Sequence, residues 1–290
     1  MKAEEKEVEK ISIILPAKNE AATVGDTVAR IRALSTKVVE VLVVDDGSSD
    51  DTAAMAAEAG ARVLSHTYSK GNGAAIKTGA RHAKGDVLVF MDADGQHDPG
   101  DIPGLLEKVT AGADMVIGAR GNGSQASLGR GMANHLYNAL ATYMTGNPIR
   151  DLTSGFRAVR AEKFREFLSL LPNGFSYPTT ITMAFFRAGY TVEYVPIKAA
   201  RRTGASHIRP LRDGLRFLVI IFKIATLYSP LKIFVPGSAG LFMLGLGYYG
   251  FTFITQGRFT NMSALLLTTA ILIFLIGLVS EQITQLMYKE

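Results

Sequence analysis

The chain has 290 residues, 31 of them Lys or Arg and 26 Asp or Glu, for a formal charge of +5. That length holds one medium domain plus something extra. With no cysteine, a disulfide framework, a thiolate metal site and a thiol nucleophile are all excluded.

The N-terminal MKAEEKEVEK is charged and has no apolar core, so it reads as a solvated lead-in and not as a signal peptide. Ile11–Pro16 is expected to be the first buried strand; it ends in Ala17-Lys18-Asn19-Glu20, and a helix should follow through Leu34. Val38–Asp45 reads as the second strand and ends in paired acids, Asp45 and Asp46. The stretch from Gly47 to Thr52 supplies turn and cap chemistry for a helix over Thr52–Ala59. Ala61–Ser65 is a short third strand, and Gly71-Asn72-Gly73 opens a helix over Ala74–Ala83. Asp86–Met91 is an apolar run bounded by glycine, a fourth strand that runs straight into Asp92 and Asp94. Ile102–Thr110 should be helical, and Met115–Ala119, SGFRAVR and Tyr190–Pro196 extended, with a helix in YPTTITMAFFRAGY. Strands alternating with helices imply a mostly parallel sheet covered on both faces.

In a parallel sheet all strand C-termini share one edge, where ligands of open α/β sheets bind. Asp45/Asp46 and Asp92/Asp94 would therefore meet in one crevice. Carboxylates crowded together repel unless a cation or a hydrogen-bonding ligand relieves them. Ala93 and Gly95 are small and leave room beside the second pair. A hard, oxygen-rich site of this kind suits Mg²⁺ or Mn²⁺ shared with substrate phosphates. A nucleotide is the economical ligand: one acid for base or ribose, the other pair for metal and diphosphate. Gly71 and Gly73 could add backbone donors near a phosphate. Neither a phosphate-loop motif nor a Gly-x-Gly-x-x-Gly after the first strand is present, which argues against a phosphate-loop ATPase and a nicotinamide enzyme.

The strings ILPAKNE, VVDDGSSDDT, KGNGAAIKTG, MDADGQHDP, DLTSGFRAV and RRTGAS, in that order over about Ile11–Ser206, resemble the family-2 glycosyltransferases of GT-A fold. More narrowly, they are similar to the dolichyl-phosphate mannose synthase and polyprenyl-phosphate glycosyltransferase branch. The resemblance implies a Rossmann-like α/β catalytic domain over residues 1–208. It implies inverting transfer of a sugar from a nucleotide-sugar, of GDP-mannose or UDP-glucose type, to a polyprenyl phosphate on the cytoplasmic face. Carried over by motif, Pro16, Ala17, Asn19, Glu20, Asp45, Asp46, Lys70, Gly73, Asp92 and Ala93 would form the nucleotide pocket, with Asp46 on the base. Asp92, Asp94 and Gln96 would hold Mg²⁺ or Mn²⁺ and the diphosphate. Arg120, Arg130, Arg201, Arg202 and Ser206 would hold the acceptor phosphate; Asp94, Arg120, Arg130 and Arg201 carry the catalytic assignment. Asp151 and Arg157 match as well, Asp151 as the orienter of a phosphate-binding arginine or as a turn cap, and His97 is a candidate ligand to metal or diphosphate. The family commonly has an acid in the helix before the last strand, whereas YPTTITMAFFRAGY has none; this departure bears on the donor sugar or acceptor.

The chemistry agrees with such an acceptor. Transfer to a hydroxyl needs a base to remove a proton. A phosphomonoester, with a second pKa of about 6, is already largely a dianion at neutral pH. It needs cations that orient it, and arginine suits that task.

Beyond Arg209 the composition turns apolar. Ile233–Gly257 and Phe259–Ser280 are uncharged and long enough to span a bilayer, which places a hairpin in residues 231–290, at about 233–256 and 260–282. Arg209, Arg212, Arg216, Lys223, Lys232 and Lys289 flank it and put both ends in the cytoplasm. Residues 209–230 would form an amphipathic interfacial helix, with Arg212, Arg216 and Lys223 on one stripe and Leu211, Leu215, Leu218 and Phe222 on another. Gly237, Gly240, Gly245, Gly247 and Gly250 permit close packing, including with a second protomer. No nucleic-acid partner is expected. Two other functions fit parts of the sequence: a membrane glycosyltransferase acting on a lipid hydroxyl, and a nucleotide-sugar-binding membrane partner without turnover.

Overall fold

The β-branched, apolar runs separated by glycine and acidic turns do form the strands of one sheet. A computed structural model of the chain describes residues 10–34, 38–120, 138–174, 176–197, 226 and 228–287. The strands are β1 (Ile11–Ala17), β2 (Val38–Asp45), β3 (Arg62–Ser65), β4 (Val87–Phe90), β5 (Met115–Arg120), β6 (Arg157–Arg160) and β7 (Val192–Ile197). The helices between them are α1 (Val24–Arg32), α2 (Thr52–Glu58), α3 (Asn72–His82), α4 (Ile102–Thr110), α5 (138–145), α6 (Ala161–Glu166) and α7 (Tyr177–Arg187).

The strands lie in the order β3-β2-β1-β4-β6-β5-β7. Ile13 sits between Val41 of β2 and Val89 of β4, in parallel register on both sides. Among the described strands β6 alone runs against its neighbours, β4 and β5, and β5 and β7 are again parallel. The sheet is thus mostly parallel, with one reversed strand inserted at its centre. That reversal brings the segment entering β6, residues 151–156, to the edge where β1, β2, β4 and β5 end. Buried side chains of β1, β2 and β4 pack against α1 and α4, with Ile13, Leu15, Val28, Val89 and Leu105 fully enclosed. On the other face α3 approaches so closely that a Cβ on Gly79 would lie 2.4 Å from Ile14 Cγ2.

The chain divides into two compact units, Met1–Thr142 with Asn147–His207, and Tyr143–Gly146 with Ile208–Glu290. In the second, α8 (Leu231–Gln256) and α9 (Asn261–Met287) form an antiparallel pair turned at Gly257, whose φ is +61°. The buried residues are small and recur every seventh position: Ser238, Gly245 and Thr252 on α8, and Ser263, Ala270, Gly277 and Thr284 on α9. A strict seven-residue seam wraps two helices with a left-handed twist, and small residues let the backbones approach. Gly245 faces Leu267, and Gly277 faces Phe234. Gly237, Gly240, Gly247 and Gly250 have no neighbouring side chain among the described residues, so only Gly245 of the five packs within the pair. Both helices are long and apolar enough to cross a membrane, and their outer faces are exposed Leu, Ile, Phe and Met. The expected interfacial helix lies outside the described residues, apart from Thr226 and 228–230.

Candidate active site

A cleft of about 440 Å³ opens at the carboxyl edge of the sheet. Pro16, Ala17 and Glu20 line it from the end of β1, Asp46 from the end of β2, and Asp92, Ala93, Asp94 and Gln96 from the end of β4. The acids from neighbouring strands therefore share one site, as parallel topology requires. Ser69, Gly71, Asn72 and Ala75 also line it, and Lys18, Thr153, Gly155, Tyr177 and Pro178 complete the lining. Sequence reading assigned these five no role, although Thr153 and Gly155 lie inside DLTSGFRAV. Their signal was the reversed strand that follows them, which local periodicity does not reveal.

Each loop is held by bonds that its own sequence supplies. Asn19 has a φ of +57°, a left-handed conformation asparagine tolerates better than most residues. Its Oδ1 accepts from Ser49 N at 2.9 Å while its own N–H donates to Ser48 Oγ. Glu20 N donates to Thr52 Oγ1 at 2.8 Å, and Thr23 Oγ1 donates to Ala93 O at 2.7 Å, which fixes the Asp92–Asp94 turn. Asp45 Oδ1 caps the next turn by accepting from Ser48 N. Asn19 and Asp45 thus build the wall and do not line the cleft.

Asp46 does line it, but its carboxylate is engaged. It accepts from His66 Nδ1 at 2.7 Å, Ser69 Oγ at 2.7 Å, Lys70 N at 2.8 Å and Gly71 N at 2.9 Å. An ionised carboxylate has about four acceptor positions, so these donors fill it. Burial pushes the acid up, yet the bonds from His66, Lys70, Ser69 and Gly71 outweigh it and hold it below the usual carboxylate range. Lys70 enters through its backbone; its ammonium lies over the Tyr68 ring. The Asp46 carboxylate is thus satisfied by the chain it pins.

Gly71 and Gly73 serve packing. A Cβ on Gly73 would lie 2.1 Å from Pro172 O, and one on Gly71 2.4 Å from Asn173 O. The amide of Ala74 is shared by Gly71 O and Asn173 O. The start of α3 is thereby pressed onto the 172–174 loop, and Gly71 and Asn72, but not Gly73, face the cleft.

On the other side of the cleft, Arg120 ends β5 and meets Asp151. Arg120 Nε donates to Asp151 Oδ2 at 2.8 Å and Nη2 to Oδ1 at 3.0 Å; Nη2 also reaches Thr153 Oγ1 at 2.7 Å. The same carboxylate caps a turn by accepting from Thr153 N and Ser154 N. Asn138 braces this turn through Arg150 O and Leu152 N. Asp151 therefore both holds Arg120 and caps a turn. Burial pushes the carboxyl up, but the bonds and charge of Arg120 prevail and hold it below its ordinary value. Nη1 of Arg120 has no hydrogen bond among the described residues.

Arg157 is fully buried and, among the described residues, bonds to neutral groups: Ser154 O, and Pro178 O and Thr182 Oγ1 at 3.2 Å, with Met115 Sδ at 3.7 Å. It ties the 154–155 turn to the start of α7, joining the cleft walls Gly155 and Pro178. His97 stacks on Phe156 at 5.1 Å and is 6 % exposed; its ring packs behind the cleft. Arg130, Arg201, Arg202 and Ser206 lie outside the described residues, although β7 ends at the same edge as β5.

The donor set suits a divalent cation. Asp92 and Asp94 offer carboxylates, Gln96 an amide, and Gly155 crowds Asp92 so closely that a Cβ there would lie 3.3 Å from Oδ2. Among the described residues no cluster of three or more His, Cys, Asp or Glu could enclose a metal. Few protein ligands with waters and phosphates completing the shell is the habit of Mg²⁺.

A two-sided α/β sheet with an acid-lined cleft at its carboxyl edge is the arrangement of nucleotide-dependent enzymes. The chain belongs to glycosyl transferase family 2, whose model matches residues 12–168, and it is a glycosyltransferase. The model of the GtrB C-terminal hairpin matches residues 229–286. Glycosyltransferase AglJ of Haloferax volcanii is 30% identical over 250 residues, covering 82% of this chain and 80% of that one. Polyprenol monophosphomannose synthase of Mycolicibacterium smegmatis is 32% identical over 229 residues, covering 73% and 84%. An undecaprenyl-phosphate 4-deoxy-4-formamido-L-arabinose transferase of Klebsiella pneumoniae is 30% identical over 253 residues, covering 83% and 75%. Among solved structures, glucosyl-3-phosphoglycerate synthase of Mycobacterium tuberculosis with Mn²⁺, UDP and its product has a TM-score of 0.59 at 25% identity, covering 75% of this chain and 79% of that one. The same enzyme with Mg²⁺ and UDP also scores 0.59 at 25% identity, covering 74% and 79%. The fold is GT-A.

Proposed function

We propose that the chain transfers a monosaccharide from a nucleotide-sugar to the phosphate of a polyprenyl phosphate, with inversion at the anomeric carbon. The observation that carries this reading is the Arg120–Asp151 pair. Asp151 accepts from Arg120, Thr153 and Ser154 and is held ionised below its ordinary range, which makes it a poor proton acceptor. A site whose acid is spent on aiming an arginine suits a nucleophile that is already ionised. An acceptor phosphate oxygen forms the bond to the anomeric carbon as the bond to the nucleoside diphosphate breaks; no proton has to leave. Arg120 orients the acceptor, and Arg130, Arg201, Arg202 and Ser206 are proposed to join it. Asp92, Asp94 and Gln96 would hold Mg²⁺ or Mn²⁺, which when bound neutralises the departing diphosphate. Pro16, Ala17, Glu20 and Ala93 border the nucleotide.

The two apolar helices support a membrane hairpin, and the basic residues flanking it in sequence support a cytoplasmic catalytic unit. The names of the relatives support a polyprenyl phosphate acceptor. The test is a donor panel: GDP-mannose, UDP-glucose and UDP-N-acetyl sugars, each with Mn²⁺ and a short polyprenyl phosphate, read as product lipid. One donor should give a sugar-phosphate lipid. Release of no nucleoside diphosphate with any donor overturns the proposal.

A further inference from the structure

We propose that His66 is a positioning residue for the donor nucleotide: through Asp46 it fixes the Ser69–Gly71 segment as the wall on which the nucleoside seats. The inference rests on the reading of the cleft as a nucleotide-sugar site. The sheet order places β1 between β2 and β4, so Asp46 and Asp92 end strands two spacings apart, about 10 Å. A ligand with its diphosphate at Asp92 and Asp94 lays its nucleoside toward β2 and β3, where Asp46, Ser69, Gly71 and Asn72 form the lining.

Everything there converges on one buried imidazole. His66 follows β3, is 9 % exposed, and uses both ring nitrogens. Nδ1 meets Asp46 Oδ1 at 2.7 Å, and Nε2 meets Thr78 Oγ1 of α3 at 2.9 Å. Opposite an ionised Asp46, Nδ1 carries the proton and donates, and Nε2 shares a hydrogen bond with the Thr78 hydroxyl. The backbone of His66 is fixed as well, its N–H donating to Asp45 O. Asp46 in turn takes Ser69 Oγ, Lys70 N and Gly71 N. The clamp thus joins the ends of β2 and β3, the connecting loop and α3. The segment is pinched from outside too. Gly47, with φ +69°, lies so close that its Cβ would fall 2.9 Å from Ser69 N, and Asn173 O blocks the far side at Gly71. Asp46 has no acceptor position left for a base, so it acts on the nucleoside through the residues it holds.

The experiment measures binding by calorimetry on the full detergent-solubilised chain with Mn²⁺, using UDP, GDP and pyrophosphate as separate probes. His66→Ala should weaken the preferred nucleoside diphosphate about tenfold or more, the effect of losing a hydrogen bond to a charged group. Pyrophosphate, which has no nucleoside, should bind as to wild type. His66→Asn restores an N–H toward Asp46 and should recover affinity to within about threefold; Thr78→Val, which keeps the volume, should fall between. Wild-type affinity of His66→Ala for the nucleotide overturns the inference, as does an equal loss of nucleotide and pyrophosphate binding, which marks a merely structural role. Wild-type protein that binds pyrophosphate but neither nucleotide overturns the reading of the cleft itself.

Discussion

Replacing Asp151 by Asn tests the arginine-aiming arrangement most directly. The amide keeps one oxygen, which can still accept from Thr153 N, Ser154 N and Arg120 Nη2. Its NH₂ group falls where Oδ2 stood, against Arg120 Nε at 2.8 Å and Arg120 N at 3.2 Å. Two accepting contacts become donor-to-donor contacts, and the guanidinium loses its counter-charge. Breaking a buried ion pair costs about 3–5 kcal/mol. Arg120 keeps a third of its side chain exposed, 32% against 9% for Asp151, so solvent screening lowers the expected cost to about 2–3 kcal/mol. At roughly 2–4 °C per kcal/mol for a unit of this size, the melting temperature of the catalytic unit should fall by about 5–10 °C. Turnover should fall about 10- to 100-fold, with a raised KM for the lipid phosphate, because Arg120 no longer holds one direction. The linkage sign is set by the depressed acid: the pair contributes fully at neutral and mildly acidic pH and weakens only as pH drops below the ordinary carboxylate value of 3.8. The assay is a thermal scan beside initial rates across pH. An unchanged melting temperature with turnover abolished would refute the reasoning and identify Asp151 as a proton acceptor.

Gly73→Ala should cost about 3 kcal/mol or more by forcing a methyl onto Pro172 O. Gly174→Ala, which meets nothing within 4 Å, should be near neutral; equal stabilities in urea would show that α3 does not press on this loop. In the hairpin, Gly277→Leu drives a side chain into Phe234, 2.4 Å from the ideal Cβ, and should open the α8–α9 seam to protease. Gly240→Leu, on a face without neighbours among the described residues, serves as control, and matching digestion rates would discard the seven-residue seam. Asp94→Ala should remove turnover and its dependence on Mn²⁺ together; turnover that survives and still responds to Mn²⁺ reassigns the metal ligands.

The local facts were legible because they are written in short windows. Period-two and continuous apolar runs marked β1, β2 and β5 to within a residue, and a parallel sheet then compelled Asp46, Asp92 and Asp94 into one cleft. The uncharged stretches marked α8 and α9, although α9 runs on to Met287, past Glu281, since helical hydrogen bonding does not stop where hydropathy does. The strand before Asp92 is shorter than its apolar run, Val87–Phe90, because its partners β1 and β6 pair with only those four residues.

What the tertiary structure decided are the meetings between residues distant in sequence. Gly73 is glycine because of Pro172, Arg120 points where Asp151 sets it, and Asp46 is occupied by donors 20 to 25 residues further on. A sequence states which groups can donate and accept. Only the fold, by spending a carboxylate's lone pairs on its own backbone or leaving them to a ligand, determines which of those groups shape the cleft and which remain to work in it.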